Sequence, residues 1–207
     1  MNLIYYESPV PHIIIEDYYS AEELNNVWKE LDFLTSVETL MPPSKTASAT
    51  DKEGFFSKKN SGVFLDVLFS NNRESSYILK YGRKMFSPEM RDTVSPMHFV
   101  FNYLNTARVD HTLVSYYQNS DYYLPHWDIS TLSTCTWLFK EPKKFNGGDF
   151  NFSDYNYKIQ IKNNMTVLFP STISHSVDEI TMIDSNDIPF SGNGRYVISN
   201  FIYNVPA

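Results

Sequence analysis

Apolar residues recur with a helical period in two stretches of the amino-terminal half. Leu24, Val27, Trp28 and Leu31 fall at i, i+3, i+4 and i+7, behind Ser20-Ala-Glu-Glu23, which has the form of a capping box. A second helix is expected over Arg73–Phe86, entered through Asn71 and stopped by Ser87-Pro88, with Tyr77, Ile78, Tyr81 and Met85 on one face. Elsewhere the apolar runs are short and bounded by turn formers, the pattern of strands. Ile13–Ile15, Thr112–Tyr117, Tyr122–Asp128, Thr131–Phe139, Met165–Phe169 and Arg195–Tyr203 are the strands so predicted, with a turn at 118–121. Between the helices, residues 41–62 open on a polar stretch without periodicity. A loop of this kind is a candidate lid, with Lys45, Lys58 and Lys59 available to an acidic group. The acidic, turn-rich stretch 178–194 is read as an extended hairpin loop, either solvated or touching substrate.

Composition narrows the class. A chain of 207 residues, 42% hydrophobic, is long enough for one domain with a sizeable core, and its fifteen Tyr and fifteen Phe favour strands. No internal repeat or domain boundary is seen, so residues 1–207 are taken as one domain: 1–109 as helical support and lid loop, 110–207 as the core. The formal charge of −7, from 17 basic and 24 acidic residues, argues against nucleic acid as a partner. The single cysteine, Cys135, allows no intrachain disulfide and reads as a small buried hydrophobe. The first residues lack a basic region followed by a long apolar run, and no apolar segment reaches spanning length. The expectation is a soluble cytoplasmic protein without membrane association; the oligomeric state is left open.

The chemistry is carried by His126-Trp127-Asp128, then His175, then Arg195. Side chains alternate faces along a strand, so His126 and Asp128 point the same way and Trp127 the other. Two imidazoles and a carboxylate on one face of an ion leave open coordination positions, the arrangement of non-haem Fe(II) oxygenases. His12, His98 and His111 stand outside this order and are read as structural or surface residues. Gly147-Gly148 is read as a turn between strands, since no helix follows to bind a phosphate.

In this order, residues 110–203 resemble the 2-oxoglutarate and Fe(II)-dependent dioxygenases, and within them the prolyl 4-hydroxylase-like branch, with a weaker echo in Pro11–Leu24. The resemblance implies a mainly β fold, a double-stranded β-helix or cupin-like jelly roll with helices packed outside. It implies that His126, Asp128 and His175 hold iron, and that Arg195 pairs two-pronged with the distal carboxylate of 2-oxoglutarate. Tyr116, ten positions before the first ligand, matches a recurrent family tyrosine. The implied reaction consumes dioxygen, converts 2-oxoglutarate to succinate and carbon dioxide, and hydroxylates an unactivated C–H bond, with ascorbate as a supporting reductant. A prolyl residue in a peptide or protein leads as substrate; a free amino acid or other small molecule competes. Asp128 favours hydroxylation over halogenation, because halogenating members leave that position empty.

Strand parity adds Val197 and Ser199 to the face of Arg195, and Ser199 is offered as a donor near the co-substrate. The strand Thr131–Phe139 should place either Trp137 or Leu138 beside the 2-oxo acid, where the family often has an aromatic hydroxyl, and Trp137 supplies only an indole N–H. A core aromatic is the competing reading. Tyr123 is placed at the substrate entrance or in the core. The spacing from His175 to Arg195 exceeds the usual family spacing. Two readings from other classes stand beside the oxygenase: a noncatalytic jelly-roll module binding a metal or 2-oxo acid, and a Zn hydrolase, against which the lack of an obvious general base counts.

Overall fold

The computed structural model describes residues 1–37, 39–48, 50 and 53–204. Seven strands form the larger sheet in the order Asn2–Tyr6, His12–Glu16, Met165–Pro170, Leu132–Leu138, Arg195–Tyr203, Val109–Tyr117 and Ser61–Phe64. The smaller sheet runs Tyr157–Ile159, Phe150–Phe152, His175–Val177, Tyr122–His126 and Lys58–Lys59. A two-stranded ribbon joins Ile180–Met182 to Phe145–Gly147. Every strand pairing is antiparallel.

Two apolar cores lie on opposite faces of the larger sheet. On one face Ile13, Ile15, Val114, Tyr116, Leu138, Tyr196, Ile198 and Ile202 pack with Val27, Leu31 and Leu34 of the helix Ala21–Ser36. On the other, Tyr117, Cys135, Trp137, Val167 and Val197 meet Phe150, Phe152 and Val177 of the smaller sheet. The result is a jelly roll with helices on one outer face, the mainly β architecture expected. The helix begins as its sequence predicts: Ser20 Oγ accepts from the Glu23 amide and the Glu23 carboxylate accepts from the Ser20 amide.

Several elements depart from the pattern. The helix expected over Arg73–Phe86 is broken into a 3-10 turn Arg73–Ser75, an α-helix Tyr77–Gly82 and a second 3-10 turn Arg83–Phe86. Its cap is Ser76, not Asn71: Ser76 Oγ accepts from the Leu79 amide and donates to the buried Glu30 carboxylate, which fixes the chain at that turn. The segment 41–62 is more ordered than a free loop, because Lys58–Lys59 and Ser61–Phe64 join the two sheets; its residues 49, 51 and 52 lie outside the described residues. The part read as helical support thus also supplies four strands. In 178–194, Ile180–Met182 forms a ribbon strand, and no residue of the segment lines the cavity described below.

Gly194, directly before Arg195, sits where a β-carbon would come 2.1 Å from the Tyr117 carbonyl oxygen, so the chain can enter that strand only without a side chain. Tyr116 secures the same turn from the helical side, its hydroxyl accepting from the amides of Gly192 and Gly194 at 3.2 and 3.0 Å.

His12 is fully buried, with Nδ1 donating to the Val10 carbonyl at 2.8 Å and the ring stacked on Tyr6. Burial holds its pKa below the ordinary imidazole value. On unfolding it takes up a proton as pH falls through about 6.5, whereas the folded ring resists, so it contributes stability that is lost as pH falls below that value. His12→Phe, which keeps the stacking, should therefore flatten the fall in thermal midpoint between pH 7.5 and 5.5; an unchanged slope would refute the assignment.

Candidate metal centre and its cavity

His126 closes the strand Tyr122–His126, and its cross-strand partner is His175 at the start of His175–Val177. Antiparallel pairing therefore sets the two imidazoles side by side, with ring centroids 4.2 Å apart. The strand predicted to run through Asp128 ends at His126. Asp128 lies in the following bend, with its amide donating to the Ser171 carbonyl at 2.9 Å. That anchor, rather than strand alternation, turns its carboxylate toward the histidines. One donor atom from each of His126, Asp128 and His175 lies within 4.8 Å of the others, and His175 Nε2 is 3.7 Å from Asp128 Oδ2. The spread is somewhat wider than the roughly 3 Å of a closed first shell with bonds near 2.1 Å.

Each side chain is oriented for an ion. His126 Nδ1 meets the Leu124 carbonyl and His175 Nδ1 the Ile173 carbonyl, both at 2.9 Å. A carbonyl only accepts, so both Nδ1 atoms carry the proton and both Nε2 atoms present a lone pair. Burial, and secondarily the neighbouring His175, pushes His126 down to about 3; burial also lowers His175, against the pull of Asp128. Both rings are thus held in the neutral form that can ligate through Nε2. Tyr123 stacks on His126 at 3.5 Å, and Phe150 and Phe169 flank His175 at 5.4 and 4.9 Å. Asp128 Oδ2 accepts from Ser133 Oγ at 2.6 Å, and Ser133 is bonded in turn to buried Ser171 and Ser130.

The three residues open on a cavity of about 1090 Å³ whose wall also includes Arg195, Tyr117, Val197, Ser199, Cys135, Tyr123 and Lys58. Arg195 has no exposed surface, and among the described residues none of its three guanidinium nitrogens has a partner within hydrogen-bond geometry. Its guanidinium lies 4.8 Å over the Tyr117 ring, and Gly148 leaves it room, since a β-carbon there would sit 3.3 Å from Arg195 Cδ. Leaving a buried cation unpaired costs several kcal/mol, on the order of 3–5. The side chain therefore fits an anion entering the cavity, and the fork of a guanidinium suits a carboxylate.

The other predicted residues fall as follows. Ser199 lines the cavity, with Oγ 3.8 Å from Cys135 Sγ, and Tyr123 lines it beside His126. Tyr116 does not belong to it: that residue faces the helices, against Tyr196. Adjacent residues of a strand face opposite ways, and Tyr117 is the one that pairs with Arg195 and shares its face. Trp137 is wholly buried and does not line the cavity; it packs against Phe150 at 5.7 Å, although its indole N–H lacks an acceptor among the described residues. Cys135, one pleat along, is the residue of that strand that reaches the wall. Sequence reasoning missed Tyr117, Phe150 and Ser133. None of the three had a readable signal, since every residue from Thr112 to Tyr117 is buried and no alternation marks one face. His111, read as structural or surface, lies on the wall near Tyr203. Of the lid lysines, Lys58 is 3% exposed and on the wall, Lys59 pairs with Asp121 at 3.8 Å, and Lys45 is not among the lining residues.

No family model and no curated protein matches the sequence. Solved structures do match. A Pseudomonas putida prolyl-4-hydroxylase aligns over 94% of this chain and 93% of its own, with TM-score 0.63 at 13% identity. The chain has the fold of the 2OG-Fe(II) oxygenases. A 2OG-Fe(II) oxygenase family oxidoreductase from Burkholderia pseudomallei covers 94% of this chain and 85% of its own at TM-score 0.58 and 12% identity. A Trichoplax adhaerens prolyl hydroxylase, solved with a hypoxia inducible factor oxygen degradation domain peptide, gives 93% and 83% at 0.59 and 10%. Within this fold, the two histidines and Asp128 form a cluster of three donors that can hold a metal ion.

Ser133 touches no ion itself but fixes the carboxylate that would. Ser133→Ala should weaken Fe(II) or Co(II) binding roughly 10- to 100-fold with little change in the circular dichroism spectrum; metal titration giving unchanged affinity would remove Ser133 from the site.

Proposed function

We propose that the chain is a 2-oxoglutarate- and Fe(II)-dependent dioxygenase that hydroxylates an unactivated C–H bond. The observation that carries this reading is the pairing of two features in one cavity: a three-donor metal cluster and a wholly buried Arg195 whose guanidinium has no hydrogen-bond partner among the described residues. A metalloprotein that only needed an ion would have no use for the second. A hydrolase would want a general base there, and the wall beside the triad offers a cation instead.

The residues divide the work. His126, Asp128 and His175 would hold the iron, their Nε2 atoms presented by the Leu124 and Ile173 carbonyls and the carboxylate held by Ser133. Arg195 would take the distal carboxylate of 2-oxoglutarate, its fork backed by Tyr117, with Ser199 on the same face as a hydroxyl donor. Iron, when bound with 2-oxoglutarate, supplies the activation of dioxygen, coupled to loss of carbon dioxide and formation of succinate. Phe150, Phe169, Val197 and Tyr123 wall the ligands with apolar surface and limit water near the oxidised carbon. Trp137 stands apart as core support rather than a co-substrate contact.

The substrate reading is a prolyl residue in a peptide or protein. It is supported by the fold shared with prolyl hydroxylases and by a cavity mouth rimmed with exposed Leu124, Trp127 and Ile129, which suits an extended chain. A free amino acid or other small molecule is the second reading, favoured by the buried cationic lysine in the wall. Among the described residues no helix is long and apolar enough to cross a membrane. The lone buried thiol of Cys135, pushed up to about 12 by burial, suits a reducing cytoplasm.

The test is succinate release from labelled 2-oxoglutarate with Fe(II), ascorbate and a panel of prolyl peptides and amino acids. Asp128→Ala should abolish stimulated release, and full activity would reject its ligand role. Arg195→Lys should raise the KM for 2-oxoglutarate at least tenfold while leaving iron affinity nearly unchanged; parallel loss of both would instead indicate a general disturbance. Tight metal and 2-oxoglutarate binding with no turnover across the panel would favour a noncatalytic module.

A further inference from the structure

Lys58 is the second buried cation of the cavity, and nothing in the hydroxylation chemistry uses it. It lies in the strand Lys58–Lys59, paired with Tyr123, which stacks on the ligand His126. The residue is 3% exposed, and its ammonium donates to the Thr46 carbonyl at 2.8 Å and sits 5.5 Å from the Tyr123 ring centroid. Among the described residues no carboxylate forms an ion pair with it, whereas its exposed neighbour Lys59 reaches Asp121. Asp128 is the carboxylate that acts on it through space.

Charge accounting across the cavity singles it out. This step rests on the oxygenase reading. There the charge of Asp128 is taken up by the ion, and the two charges of 2-oxoglutarate are met by the remaining charge of the ion and by Arg195. Asp149 acts through space on both Arg195 and Lys143. Among the described residues, Lys58 is left as a buried cation beside His126 whose one hydrogen-bond acceptor is the neutral Thr46 carbonyl. Such a charge is costly unless an anion joins it. One of its three N–H donors is spent on Thr46, and the two that remain can be met by the two oxygens of a single carboxylate.

We propose that Lys58 is a substrate-binding residue that recognises a carboxylate on the molecule to be hydroxylated, so that the substrate is an acid, either a free amino acid type or a peptide with an acidic residue beside the oxidised position. The side chain then acts as a specificity gate at the wall near His126, apart from the co-substrate arm at Arg195. Apolar Leu124, Trp127 and Ile129 at the mouth would take the remainder of the substrate.

The experiment titrates the Mn(II)- and 2-oxoglutarate-loaded protein, kept free of oxygen, with two matched probe pairs by calorimetry. One pair is N-acetylproline and its amide; the other is a blocked tripeptide with Asp before Pro and its Asn counterpart. In the wild-type protein the charged member of at least one pair should bind about tenfold more tightly, and the pair that shows it tells free acid from peptide. Lys58→Met should bring that ratio to within about twofold, and Lys58→Arg should restore much of it. If Lys58→Met loses its fold, Lys58→Gln, which keeps a donor for Thr46, reads the same ratio. No preference for a charged member in either pair, or a preference that survives loss of the lysine charge, would overturn the proposal. Binding of 2-oxoglutarate is measured alongside: it should be unchanged by Lys58→Met, and its absence in the wild-type protein would sink the oxygenase reading instead, while the probe ratio without co-substrate still reports on Lys58.

Discussion

The register of the strand Arg195–Tyr203 between its two neighbours is the constraint on which the remaining geometry rests. It sets Arg195 opposite Tyr117, Val197 opposite Trp137 and Ser199 opposite Cys135, so one face of three strands turns into the space between the sheets. A slip of one residue would exchange that face for the one bearing Tyr196 and Ile198, and a buried guanidinium would be driven among the helix-facing aliphatic side chains. Both faces of this sheet are covered, so the register is held by shape on each side. Gly194, pressed against the Tyr117 carbonyl, and Tyr116, binding the turn amides, pin the point at which the strand begins.

The smaller sheet contributes the metal donors by a different device. Cross-strand pairing brings His126 and His175 together, but pairing alone would leave the rings free to turn. Two backbone carbonyls, each two residues upstream of its histidine, fix the rings by accepting from Nδ1. The carboxylate comes from a bend tied to the Ser171 carbonyl, with three buried serines completing its hold. The donors are thus set by hydrogen bonds largely formed within the protein, which lowers the cost of gathering them when an ion arrives.

Electrostatics give the cavity its direction. Burial makes the imidazoles poor bases and good ligands, and Arg195 and Lys58 are buried cations that form no ion pair with a carboxylate among the described residues. Burial draws Lys58 down to about 8, still mostly charged at neutral pH, and a bound anion would draw it back up. The two cations stand on strands of different sheets, so a diacid co-substrate and an acidic substrate can be addressed separately.

The order His126, Asp128, His175, Arg195 was legible in the chain because the spacing of one short motif and the parity of one strand are local properties. The helix at Ala21–Ser36 was likewise written in its capping residues and its period. What local pattern could not supply was the choice between neighbouring residues on strands buried on both sides. From Thr112 to Tyr117 every residue is buried, so no polar alternation marks Tyr117 rather than Tyr116 as the cavity residue. Trp137 and Cys135 share one face of their strand, so parity could not say which lies level with the cavity, and Lys58 reads as a loop lysine until its strand is paired with Tyr123. The sequence by itself determined which donor types exist and roughly where strands run. Only the tertiary structure decided which side chains meet, because facing and burial are set by pairing with strands far away in the chain.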